Sequence, residues 1–207
     1  MNYLHRASYA LKNSFFIATL LVASSQMRAD GVQNTVIVFD IHDVLMQQKT
    51  MKMIGQFFKH PSLIFKIGEL SSGSYGTNPA LRKIMNSQKP IKDTWKLVCK
   101  LKAAGYPLYI FSNIDATAFQ ELKQKFPGYF ELFEDCQVIH NNDAAAKKPA
   151  ASSYEQCKAM VAQKHAGKKI VFVDDKKENI QAACKAGLVG LRFTSAAKLT
   201  NDLQPHL

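Results

Sequence analysis

The chain has 207 residues, 47% of them hydrophobic, with 27 Lys and Arg against 16 Asp and Glu, a formal charge of +11. That composition does not point to a disordered chain and suits one globular core carrying an insertion or a tail. The sign favours anionic partners such as phosphorylated small molecules, and the basic residues are diluted by apolar ones, which argues against a specific nucleic-acid partner.

The amino-terminal segment reads differently from the rest. His5, Arg6 and Lys12 precede the apolar stretch "SFFIATLLVASS", and the first acidic residue is Asp30. Small residues follow, completing the layout of a secretory signal peptide over residues 1–29, with Ser25 or Ala29 as its last residue. Export to a periplasm or out of the cell is the expectation; a start at Met27 would instead give a cytoplasmic protein. The apolar core, Phe15 to Ala23, falls short of the roughly 20 residues of a spanning helix, so no stable membrane anchor is expected. Loss of residues 1–29 removes Arg6, Lys12 and Arg28 and no acid, leaving +8.

From Thr35 short β-branched or aromatic runs alternate with helical segments. The strand candidates are "TVIVFD", "YPLYIFS", "CQVIH", "KIVFVDD" and "VGLRF". The helix candidates between the later ones are "IKDTWKLVCKLKAAG", "AFQELKQKF", "SSYEQCKAMVAQKHAG" and "KENIQAACKAG", three of which stop at a glycine. This pattern predicts an α/β fold, a doubly wound parallel sheet of Rossmann-like type, with its site outside the carboxyl ends of the strands. Asp40, Ser112, His140, Asp174 and Asp175 fall there. Residues 46–90 break the alternation and predict a small helical cap inserted between the core segments 30–45 and 91–207. The loop Gly73–Gly76 within it lacks the strand and the Lys-Ser/Thr pair of a phosphate-binding P-loop.

Cys99, Cys136, Cys157 and Cys184 match no zinc spacing. Cys99, Cys157 and Cys184 fall at helical spacing from apolar residues, which predicts buried free thiols on helix stripes. The oligomeric state is left open.

In chain order the strand ends supply Asp40, then Ser112 with Asn113, then Lys148 before Pro149, then the pair Asp174 and Asp175 with Asn179 after it. Two adjacent carboxylates ending an apolar strand repel each other unless a cation is shared. Ser112 alone would be an ordinary turn former and Lys148 alone a loop lysine, with Lys147 an alternative to it. The ordered set resembles the haloacid dehalogenase-like hydrolase superfamily over about Thr35 to Phe193. The stretches "FSNI", "KP…SSYE" and "FVDDKKENIQAA" are similar to the subgroup with a helical cap after the first motif. A receiver-type signalling domain has related residues in a different order, with its acidic pair first.

The resemblance implies a Mg²⁺-dependent phosphatase for a small phosphorylated substrate. Asp40 would be the nucleophile, passing through an aspartyl-phosphate. Mg²⁺ would be held by Asp40, the main-chain carbonyl of His42, and Asp174 and Asp175. Ser112, Asn113 and Lys148 would bind the phosphoryl group, and Asn179 would orient the acidic loop. The sequence departs from the pattern after the nucleophile: His42 and Asp43 stand where the superfamily has an acid/base aspartate and a glycine. His42, on the same side of an extended chain as Asp40, would inherit the acid/base role, or Asp43 would turn inward to take it. A catalytically silent binding protein and a dehalogenase-type hydrolase are the alternative readings.

Overall fold

A computed structural model describes residues 33–47, 88–114, 116–138 and 147–207. The expected signal peptide, His140, the Gly73–Gly76 loop and the body of the expected cap lie outside the described residues. No helix among the described residues is long and apolar enough to cross a membrane.

Five parallel strands form the sheet: β1 (Thr35–Phe39), β4 (Leu108–Ser112), β5 (Asp135–Val138), β6 (Lys169–Asp174) and β7 (Val189–Arg192), in the order β5-β4-β1-β6-β7. The chain builds outward from β1 first to one side and then to the other. The strand order therefore reverses at β1, and the crevice at the carboxyl ends of β4, β1 and β6 is the switch point at which open α/β sheets bind ligands.

Alternation along each strand supplies two cores. Ile37, Phe39, Leu108, Ile110, Val171 and Val173 pack on one face with residues of α1 (Lys92–Ala103), α2 (Ala116–Lys125) and α5 (Ala196–Leu203). Val36, Val38, Tyr109, Phe111 and Phe172 pack on the other with residues of α3 (Ala151–His165) and α4 (Lys177–Lys185). Residues two apart in a strand share a face, so a five-residue apolar run such as "TVIVF" serves both layers. Each large side chain taken fully out of water contributes about 1.5–3 kcal/mol. Tyr154, Cys157 and Val161, at most 1% exposed, attach α3 by one stripe at helical spacing.

Two helices end as their glycines predict. Gly105, with φ of 83°, lets Tyr106 N donate to Leu101 O at 3.1 Å, and Gly187, with φ of 85°, lets Leu188 N donate to Ala183 O at 3.0 Å. The carboxyl-terminal helix α5 is an addition to the expected elements. Its signals are the Ser195 hydroxyl accepting from Lys198 N at 3.2 Å and the buried pair Leu199 and Leu203.

The segment after β1 leads into β2 (Met46–Gln47), which pairs antiparallel with β3 (Lys89–Pro90), the strand preceding α1. The two ends of residues 48–87 are thus tied side by side. Leu45 O accepts from Ile91 N at 2.9 Å and from the indole Nε1 of Trp95 at 2.8 Å, which locks this ribbon to α1.

The cysteines need one correction. Cys99, Cys157 and Cys184 are free thiols, but of these three only Cys157 is buried: Cys99 is half-buried and Cys184 is exposed; the buried side chains of α4 are Asn179 and Ala183. The Cys184 thiol nevertheless lies over β7. A Cβ placed on Gly190 would meet Cys184 Sγ at 2.9 Å, Ile180 Cγ2 at 2.9 Å and Ile180 O at 3.0 Å. Gly190→Ala is accordingly expected to cost about 1–3 kcal/mol, since the backbone carbonyl cannot swing away. Urea unfolding would measure it, and an unchanged midpoint would show that β7 and α4 separate freely.

Candidate active site

Asp40 follows β1 and continues its ladder, donating its backbone N–H to Val173 O at 2.9 Å. The chain then folds back: Leu45 N and Met46 N both donate to Ile41 O, at 2.9 and 2.8 Å, and Asp43 N donates to Met46 O at 2.8 Å. Ile41, Val44 and Leu45 are fully buried and anchor this turn. The polar members of "VFDIHDVL" are left to the crevice. Asp43 has φ of 54°, in the left-handed region that glycine favours and that Asp tolerates better than most residues. The position thus carries a conformational requirement, which Asp43 meets here.

Lys148 is the hub of the site. Its Nζ lies 2.7 Å from Asp174 Oδ2, 3.0 Å from Asp40 Oδ1 and 3.0 Å from the main-chain oxygen of Phe111. The rings of Phe111 and Phe172 lie 5.1 Å from it. Burial alone would lower the pKa of this ammonium, but the charges of Asp40 and Asp174 outweigh burial and hold it above the usual lysine value. Burial likewise pushes Asp40 up, and Lys148 first, then His42, bring it below the ordinary carboxylate range. Asp40 is therefore an ionised carboxylate at neutral pH.

Asp174, at the end of β6, accepts from Lys148 Nζ, from Lys176 N at 2.9 Å and from Asn179 Nδ2, which reaches both oxygens at 3.0 and 2.9 Å. These donors favour its carboxylate, against burial and the nearby charge of Asp40, which push its pKa up. Asn179 is itself held, its main-chain oxygen accepting from the Tyr154 hydroxyl at 2.8 Å. Sequence reasoning missed Tyr154, whose signal was its place on the buried stripe of the helix that follows Lys148. It also missed Arg192, whose Nε donates to Asp175 O at 3.1 Å.

Carboxylate oxygens of Asp40, Asp174 and Asp175 lie within 4.8 Å of one another. The buried ammonium pairs with Asp40 and Asp174, and the half-buried Asp175 beside them carries the consequence of the crowded negative charge. Burial first, then the charges of Asp174 and Asp40, push its pKa up to about 6. All three groups offer hard oxygens, the donor set that suits Mg²⁺. The site fits the ion.

That repulsion gives a testable pH dependence. A carboxylate whose pKa is raised by folding holds a proton in the native state, between its unfolded value near 3.8 and about 6, which a bound cation must displace. Burial lowers the pKa of His42, which acts in the opposite sense on metal-free stability, so the difference made by the metal is the informative quantity. Mg²⁺ is expected to raise the melting temperature at about pH 7.5 and to lose most of that effect by about pH 5. An equal shift at both values would show that Asp175 is not a ligand.

Of the residues predicted from sequence, Asp40, Ser112, Lys148, Asp174, Asp175 and Asn179 converge at the ends of β1, β4 and β6. Lys148 rather than Lys147 enters the cluster. The Oγ of Ser112 and the Nε2 of His42 are enclosed and have no hydrogen-bond partner among the described residues. Buried polar groups are normally paired, and both of these stand beside the ionised Asp40, where a polar ligand would satisfy them. Asn113 is placed differently, its amide turned onto the main chain of Lys148. Asp43 lies close enough for its charge to act on His42 and Asp175.

The sequence signature of the haloacid dehalogenase-like hydrolases matches residues 74–187, more than half of the chain. The chain belongs to that family. A sesquiterpene phosphatase, astK, from Aspergillus oryzae is 28% identical over 123 residues, which span 59% of this chain and 60% of that relative. Among solved structures, an HAD-like family hydrolase from Porphyromonas gingivalis is 16% identical with a TM-score of 0.61, covering 84% of this chain and 99% of its own. A dehalogenase is similar at 16% identity and a TM-score of 0.57, covering 82% and 96%. These structures share the HAD hydrolase fold: a parallel sheet flanked by helices.

Proposed function

We propose that this HAD-like hydrolase is a Mg²⁺-dependent phosphatase acting on a small phosphorylated substrate through an aspartyl-phosphate on Asp40. The observation that carries the reading is the convergence of the ionised Asp40 with Lys148, the unpartnered Ser112 hydroxyl and two further carboxylates. Asp40, Asp174 and Asp175 would hold Mg²⁺ together with the main-chain carbonyl of His42. When bound, the ion offsets charge on the transferring phosphoryl group. Asp40 forms a bond to phosphorus as the bond to the leaving oxygen breaks, Lys148 stabilises the negative charge, and Ser112 donates to a phosphoryl oxygen. His42, two residues past the nucleophile, with a free ring nitrogen and a pKa held below the usual imidazole value by burial, takes a proton from the water that hydrolyses the aspartyl-phosphate, while the leaving oxygen takes its proton from solvent. Carbon–halogen substitution would have no use for three converging carboxylates.

The sesquiterpene phosphatase relative suggests a terpenoid phosphate as a substrate class, and the basic chain suits any phosphorylated small molecule. The test is phosphate release from an aryl phosphate and from a sesquiterpenoid monophosphate, with and without Mg²⁺, beside His42→Ala. Turnover that requires Mg²⁺ and falls by about 10²–10⁴ in His42→Ala supports the assignment. Turnover without metal overturns it. Mg²⁺-induced stabilisation with no phosphate released from any ester would favour the silent binding protein, the reading to which the replaced aspartate at position 42 lends weight.

A further inference from the structure

The ammonium of Lys148 makes the cluster work, yet neither a strand nor a helix places it. Lys148 sits in the turn that runs from Lys147 into α3, where Ala150 N donates to Lys147 O at 2.8 Å. What ties the main chain of Lys148 to the sheet is Asn113. Its Nδ2 donates to Lys148 O at 2.9 Å, and Lys148 N donates to its Oδ1 at 3.0 Å. A primary amide both donates and accepts, so one side chain grips both main-chain groups of one residue.

Phe111 and Asn113, on either side of Ser112 at the end of β4, thus both meet the same lysine. Phe111 accepts from the ammonium through its main-chain oxygen and lays its ring beside it. Ser112 stands beside Asp40, and Asn113 holds the lysine's backbone. With the main chain fixed at one end and Nζ gripped at the other, the ammonium has one place to be, between Asp40 and Asp174. We infer that Asn113 is a positioning residue that sets Lys148 against the nucleophile, and that its side chain does not bind the phosphoryl group. The catalytic part of this inference rests on the phosphatase reading; the clamp itself does not.

Asn113 is exposed, so water replaces both bonds when the amide is removed, and the fold is expected to tolerate the change. The test is Asn113→Ala in the full chain, read three ways: kinetics with an aryl phosphate, thermal melting, and amide exchange at Lys148 by NMR. The expected result is a fall in kcat of about tenfold to a hundredfold with KM within about twofold, because a misplaced group weakens the transition state more than substrate binding. Exchange of the Lys148 N–H should quicken by at least about tenfold while the melting temperature barely moves. Asn113→Asp keeps the acceptor but turns a carboxylate oxygen toward Lys148 O, so its kcat should also fall.

A raised KM at unchanged kcat would overturn the inference, since the amide would then be holding phosphate. Unchanged kcat with unchanged exchange would overturn it too. Should the native protein hydrolyse no phosphate ester, the phosphatase reading fails, and exchange alone decides the clamp: faster exchange in Asn113→Ala upholds it and an unaltered rate overturns it.

Discussion

Asp40→Asn is expected to lower phosphate release by at least about four orders of magnitude while leaving the protein folded. The amide has nearly the volume of the carboxylate and keeps the backbone bond to Val173 O. What it loses is the negative charge that, in the proposed mechanism, would attack phosphorus. The consequences for stability largely cancel. Lys148 loses one of its two anions, at 3.0 Å, but the three-carboxylate cluster also loses a member, which relieves the repulsion felt by Asp174 and Asp175. A melting temperature near that of the native protein together with absent turnover would separate a lost nucleophile from a lost fold. Substantial remaining activity in Asp40→Asn, within about tenfold of native, would move the nucleophile elsewhere.

The fold was legible because the sheet is buried on both faces. A strand with helices on either side must be apolar throughout, so "TVIVF" and "KIVFV" stand out from their amphipathic neighbours. The helix ends were legible through Gly105 and Gly187, whose left-handed backbone few other residues adopt readily. Helix α5 was missed because it is short and ends the chain, with no following strand to bracket it. Among the members of the site, Asp40, Asp174 and Asp175 could be read for a related reason: charged residues ending apolar strands are conspicuous. Their division of labour could not. Asn113 follows Ser112 as a phosphate ligand would, and its turn toward Lys148 depends on contacts across 35 residues of sequence. Asp43 reads in sequence as an alternative acid/base carboxylate, and its φ of 54° adds a backbone requirement that no sequence pattern announces. Tyr154 belongs to an apolar stripe in sequence, and its hydroxyl acquires a task only when α4 brings the Asn179 carbonyl to it.

The largest stability effect is expected at Lys148. Lys148→Met keeps the length of the side chain and its contact with Phe111 and Phe172, but it leaves Asp40 and Asp174 facing each other without a cation. The lysine side chain is 1% exposed and those of Asp40 and Asp174 are 7% and 0%, so water cannot take its place. Removing one partner from such a buried arrangement costs about 3–5 kcal/mol. The sign of its pH dependence follows from the same charges. In the native protein Asp40 has a lowered pKa, so its ionic contribution is present above the unfolded value near 3.8 and fades as pH falls through the lower folded value. Without Lys148 burial dominates and both carboxylates bind protons more tightly folded than unfolded. The variant should therefore gain stability relative to the native protein as pH is lowered from neutrality toward about 4. Urea unfolding at several pH values would measure this, and a deficit of equal size at every pH would assign the loss to packing. Two additions test the charge account from the other side. Mg²⁺ should restore part of the deficit at neutral pH by supplying positive charge to the same oxygens. Adding Asp40→Asn should restore part of it by removing one stranded anion, so the double variant should be more stable than Lys148→Met alone.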